Sequence, residues 1–103
     1  MISEITIRKV RELAIEDVLS PYVRLSRKGS TLMGLCPFHS EKTGSFAVTP
    51  SKNLFHCFSC NRGGDSITFI MEKENLSFSA AVEFIARNHN IPVEYISEER
   101  SEE

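Results

Sequence analysis

Cys36-Pro37-Phe38-His39, followed by Cys57-Phe58-Ser59-Cys60, is the stretch that decides how this chain folds. The two quartets contain all 3 cysteines of the chain and one of its 3 histidines. A two-residue spacer lets the backbone turn sharply and aim both flanking side chains at one point. Two such turns side by side offer three thiolates and an imidazole, a donor set that suits tetrahedral zinc. Protein then fills every coordination position. The expected ion is therefore structural, one per chain, with no open position for water or substrate. His56 is a rival for the imidazole place, but it adjoins Cys57. Neighbouring side chains of a strand leave opposite faces, which favours His39. Disulfides fit poorly, because an odd number of thiols cannot all pair. The first nine residues, Met1 to Lys9, also lack the long apolar core of a signal peptide. Unpaired thiols without such a signal indicate the cytoplasm.

A chain of 103 residues makes one small domain. Domains of this size bury little surface, so a metal staple is physically useful. No apolar run approaches the roughly 20 residues of a membrane span, so no membrane partner is expected. The domain is expected over residues 1–96. Residues 97–103, rich in glutamate, read as a charged tail or the start of a linker.

The net charge of −2 hides a division. Residues 22–64 carry Arg24, Arg27, Lys28, Lys42, Lys52 and Arg62 against Glu41 alone. From Asp65 onward, nine acids face three bases. The cysteine-bearing segment is thus the basic one, and three thiolates with Zn²⁺ change its charge by only about −1.

Local patterns supply the elements. Ser3 caps a helix over 4–13 with Ile7, Val10 and Leu13 on one stripe, and Asp17 to Leu19 add a short turn before Pro21. Tyr22 to Ser26 alternate as a strand, Arg27-Lys28-Gly29-Ser30 reads as a hairpin turn, and Thr31 to Leu35 as the return strand. Ser45–Thr49 and Asn53–Phe58 are two more strands, and Asn61 to Gly64 close the second ligand turn. Asp65 or Ser66 caps a helix to about Glu74, with Ile67, Ile70 and Met71 as its apolar face and Phe69 alongside. Ser77 or Ser79 starts another, where Phe78, Ala81, Val82, Ile85 and Ala86 keep helical spacing until Asn90-Ile91-Pro92. The fold class is α+β: a zinc ribbon, meaning a small antiparallel sheet with a Cys3His site, flanked by an N-terminal helix and two C-terminal helices.

In order along the chain come Arg27-Lys28-Gly29, Gly34-Leu35-Cys36-Pro37-Phe38-His39, Glu41-Lys42-Thr43, Ser45-Phe46, Phe55-His56-Cys57-Phe58-Ser59-Cys60 and Gly63-Gly64-Asp65. This set resembles the CHC2 zinc-finger family, the N-terminal zinc-binding domains of bacterial replicative DNA primases, over about residues 3–90. The resemblance implies a domain that engages single-stranded template DNA and helps choose where an RNA primer starts. It also implies a separate polymerase domain using Mg²⁺, and a C-terminal region that binds the replicative helicase. Neither fits within 103 residues. A stand-alone ribbon from a mobile element, binding DNA or docking on protein, is the alternative. Gly44 stands where the family usually has proline. Leu32 stands where it often has an aromatic, which implies a lost stacking surface.

Single strands are held by cations on phosphates and aromatic faces under bases. Arg27, Lys28, Lys42, Lys52 and Arg62, interleaved with Phe46 and Phe58, are the candidates for that contact. Phe55 and Phe58 are expected on opposite sides of one strand. No paired acidic motif marks a catalytic metal, and a closed zinc site does not activate water.

Overall fold

Alternating apolar residues between 31 and 57 build a sheet; the first of the two C-terminal helices packs on one side of it, and the second packs on that helix and on the N-terminal one. The computed structural model describes residues 2–38, 45–58 and 61–96. His39, Lys42, Cys60 and the tail 97–103 lie outside the described residues. The elements are α1 (Glu4–Arg11), α2 (Ile15–Leu19), β1 (Ser26–Lys28), β2 (Thr31–Gly34), β3 (Phe46–Thr49), β4 (Leu54–Cys57), β5 (Arg62–Gly64), α3 (Ser66–Glu74) and α4 (Phe78–Asn88). Among the described residues no helix is long and apolar enough to cross a membrane.

The sheet is an antiparallel meander in the order β1-β2-β3-β4-β5. Directly opposed residues share a face. The rows Leu32, Val48, Phe55 and Gly34, Phe46, Cys57 therefore point together towards the helices. The rows through Met33, Ala47, His56 and through Thr49, Leu54 point away. Phe69 of α3 fills the centre of the helix side, with ring centroids 5.5 Å from Phe55, 6.1 Å from Phe46 and 5.6 Å from Tyr22. Ala81, Val82, Ile85 and Ala86 bury the inner stripe of α4.

Caps form at the expected places. The hydroxyls of Ser3 and Ser77 and the carboxylate of Asp65 accept from the backbone N–H of Thr6, Ala80 and Thr68. Gly34 is needed because Val23 and Arg24 cross over it: a Cβ there would meet the Arg24 carbonyl at 2.6 Å.

Three sequence expectations are corrected. The first strand is Ser26–Lys28, not Tyr22–Ser26, and Lys28 pairs with Thr31. The turn is thus Gly29-Ser30 alone, with Gly29 at φ 66°, a left-handed conformation that glycine adopts without steric cost. Arg27 and Lys28 consequently sit on a strand. Secondly, Arg62-Gly63-Gly64 does not merely close a turn but adds a fifth strand beside β4. Glycines are poor strand formers, so propensity hid it. Thirdly, Leu32 is buried on the helix side, so an aromatic at that place would join the core, and its absence removes no stacking surface.

Asn53 joins the turn between β3 and β4 to the helical layer. Its Oδ1 accepts from Ile15 N–H at 2.9 Å. Its Nδ2 donates to the carbonyls of Arg11 at 3.0 Å and Leu13 at 2.9 Å. Its backbone is left-handed, at φ 58°. Helix α2 has no side-chain cap at its own N-cap Ala14, so a residue 38 positions away supplies one. We expect Asn53→Ala to lower the free energy of unfolding by about 2–4 kcal/mol, from lost hydrogen bonds plus left-handed strain. Asn53→Gly should recover only the strain, about 1 kcal/mol. Urea denaturation measures both; equal losses for the two would remove the backbone contribution.

The first and last described segments also meet. Ile2 and Tyr95 form an antiparallel bridge, Ser3 N–H donates to the Glu94 carbonyl at 2.9 Å, and Glu94 N–H donates to Thr6 Oγ1 at 3.0 Å. On the flank, Tyr22 Oη donates to Glu74 at 2.7 Å. Burial first, and the Glu74 carboxylate second, push the Tyr22 phenol up to about 12.

Candidate metal centre and nucleic-acid face

The register brings the first cysteine of each quartet to one end of the sheet. Gly34 ends β2, opposite Phe46, and Phe46 is opposite Cys57, the last residue of β4. Cys36 lies two residues past Gly34, so the quartets leave adjacent corners with the start of β3 between them. Cys36 is 4% exposed and Cys57 0%. The Ser45 hydroxyl is 3.8 Å from Cys57 Sγ. Phe58 N–H donates to the Ser45 carbonyl at 3.0 Å.

Two buried sulfurs at one sheet end, each opening a quartet whose partner lies three residues on, suit a soft, tetrahedral ion. His39 and Cys60 lie outside the described residues. Among the described residues no three His, Cys, Asp or Glu side chains gather around one point. His56 belongs to the outward row of the sheet, opposite in sense to Cys57. Its Nε2 lies 3.3 Å from Asn61 Oδ1, and its ring meets Phe58 edge-on at 4.6 Å. That orientation counts against His56 as a ligand beside Cys57.

The outward side of the sheet carries no helix-facing row. Ser26, Met33 and His56 cross it in one register row, and the pairs Lys28–Thr31 and Thr49–Leu54 lie on the same side. Leu35, Leu54 and Phe58 are exposed, Phe58 by 68%. Arg24, Ser26, Lys28, Met33 and Leu35 line an open cleft along the β1–β2 edge. Of the candidate contacts, Arg27, Lys28, Lys52 and Phe58 are exposed. Lys28 and Phe58 share the outward side. Arg27 is paired with Leu32 and so leaves the sheet on the other side, at its edge. Lys52 lies in the β3–β4 turn. Lys42 falls outside the described residues.

Phe46 is corrected: it is 0% exposed and stacked on Phe55 at 5.4 Å, so it is core and offers no face to a base. Arg62 is exposed but engaged, pairing with Glu72 and lying over the Phe38 ring. Met33, Leu35 and Leu54 were missed as outward residues. The period-two alternation 33, 35 and 54, 56, 58 was the available signal.

The chain matches the model of the CHC2 zinc finger over residues 2–101. It is 47% identical over 96 residues to the DNA primase of Streptomyces coelicolor, covering 91% of this chain and 15% of that protein. It is 46% identical over 88 residues to the DNA primase of Helicobacter pylori, covering 85% of this chain and 16% of that one. The crystal structure of the Aquifex aeolicus primase, comprising zinc-binding and RNA polymerase domains, superposes with a TM-score of 0.80 at 39% identity, over 89% of this chain and 24% of that chain. This chain therefore spans about one sixth of the length of these two curated relatives.

Proposed function

The chain belongs to the CHC2 zinc finger family, and from that premise we propose that it serves a DNA primase as its single-strand template reader. Cys36, His39, Cys57 and Cys60 hold one Zn²⁺, which fixes the two ligand turns to each other and performs no chemistry on substrate. The outward sheet side then receives template DNA and helps set where the primer starts. Primer synthesis with Mg²⁺, and contact with the replicative helicase, belong to other regions of such a primase.

The observation that carries this reading is the outward side itself. A 68%-exposed phenylalanine, Phe58, adjoins the sheet end that holds the cysteines, and Arg24 and Lys28 line the opposite edge. Bases stack on aromatic faces with little regard to sequence, while phosphates take the cations. Phe58→Ala should weaken binding of a short single-stranded oligonucleotide by about tenfold, as expected for one lost stack. Lys28→Ala should weaken it and reduce the slope of log K against log salt by about 0.7, as for one phosphate on a single strand. Fluorescence anisotropy across a salt series reads both. Wild-type affinity and slope in both variants would exclude this side as the template surface.

A further inference from the structure

Arg62 opens β5 directly opposite Cys57, so its side chain leaves the sheet on the helix side. The guanidinium carbon lies 5.0 Å from the centre of the Phe38 ring, and the guanidinium pairs with the carboxylate of Glu72 on α3. Phe38 is the residue before His39 and two after Cys36. The same ring packs against Phe69 at 5.3 Å and Phe55 at 6.3 Å. The first ligand turn is thus held by an apolar floor from α3 and β4 and by a cation that α3 anchors.

The geometry points to Arg62 and Glu72 as positioning residues for the metal: they clamp Phe38, and through it the turn carrying Cys36 and His39, against α3. This rests on the four-ligand zinc site proposed above. The ion pair alone is weak, since its side chains are 47% and 38% exposed and water and salt screen it. A guanidinium over a ring adds a directional hold. What the assembly restrains is a turn bearing half of the ligands. Zinc leaves as ligands detach one after another, and a tethered turn recloses before the ion escapes. Residues behind the ligands commonly change metal affinity by about 10–100-fold. The clamp also engages Arg62 on the helix side, away from the outward face assigned to template.

The test is the rate at which the zinc-loaded chain loses metal to an excess of chromogenic chelator. Arg62→Ala should accelerate loss by about tenfold, and Glu72→Gln by a smaller factor. Arg62→Lys keeps a cation within reach of ring and carboxylate and should restore most of the retention. Combining Arg62→Ala with Phe38→Leu should add little to the larger single effect, because both break one assembly. Arg11 is the control. It pairs with Asp65 at 3.8 Å and lies over Phe78, the same chemistry beyond the other end of β5. Arg11→Gln should leave zinc loss unchanged. Zinc loss from Arg62→Ala within twofold of wild type, or equal acceleration by Arg11→Gln, overturns the clamp. An independent arm needs no metal measurement. Ring-current shifts of the Arg62 side-chain protons in the NMR spectrum should vanish in Phe38→Leu, and their absence from wild type also overturns it. A wild-type chain that binds no zinc defeats the site reading instead, and the NMR arm still decides the clamp.

Discussion

Cys57→Ser should abolish stoichiometric zinc binding and leave the sheet without fixed tertiary structure. Cys57 ends β4, is 0% exposed and lies at the same sheet end as Cys36. Removing one of four ligands leaves an open, poorly held ion. In small zinc domains the apparent binding free energy is about 10–16 kcal/mol, and it is folding free energy. Whole domains are stable by only about 5–15 kcal/mol. The metal-free chain is therefore expected to lose the dispersed amide NMR signals of β2 to β5, while some helical signal persists. Metal analysis and NMR check this, and chelation of the unmutated chain should give the same spectrum. A well-dispersed spectrum after either treatment would show that the helices alone hold the sheet, and the staple argument would fail.

The second large effect is expected at Phe69. It is 0% exposed and is the ring on which Tyr22, Phe38, Phe46 and Phe55 converge. Phe69→Ala removes the central aromatic contact between the helical layer and the sheet, and should cost about 3–5 kcal/mol. For a domain of this size that lowers the melting temperature by more than about 10 °C. Phe69→Leu should cost less than half as much, because most of the volume remains. Phe78→Ala, at a partly exposed ring on α4, is the comparison. Melting curves in which the Phe69 and Phe78 variants coincide would contradict the central placement.

The aromatic centre illustrates what was legible in the chain and what was not. Periodicity of α4 located Ala81, Val82, Ile85 and Ala86 because a helix repeats its buried stripe locally. The cap at Ser3 was legible for the same reason, and those at Asp65 and Ser77 as one of two candidates each: all three bond a backbone group three residues away. Phe69 was read as alongside the apolar face of α3, yet it forms the middle of the core. Its neighbours come from the segment before β1 and from β3 and β4, and no local pattern announces such partners. Asn53 was invisible for a related reason. It was read as the first residue of a strand, whereas it precedes β4, and its bonds to residues 11, 13 and 15 exist only once the layers meet.

The candidate site divides in the same manner. The two quartets were legible as a spacing, and the structure brings Cys36 and Cys57 to one buried end. The sidedness of β4 was legible too, since Phe55 and Phe58 were expected on opposite sides and are 3% and 68% exposed; that of the first hairpin was not, because a shift in where a strand begins changes which residues oppose each other. Moving the first strand to Ser26–Lys28 put Lys28 on the outward side and Arg27 on the other. Of the seven-residue contact set, Phe46 lies in the core and Arg62 turns towards α3.

The order of the strands has a meaning in time as well as in space. Each strand pairs with the one preceding it in sequence, so the sheet can grow by successive closure of short loops, hairpin upon hairpin. Small loops close in about 10–100 ns and hairpins in microseconds, whereas distant pairings wait on a larger entropic cost. The bridge between Ile2 and Tyr95 spans nearly the whole chain and belongs to the last events. A nascent chain emerging from synthesis can thus complete the meander, with both cysteine quartets in hand, before α4 and the segment around Tyr95 arrive to seal it.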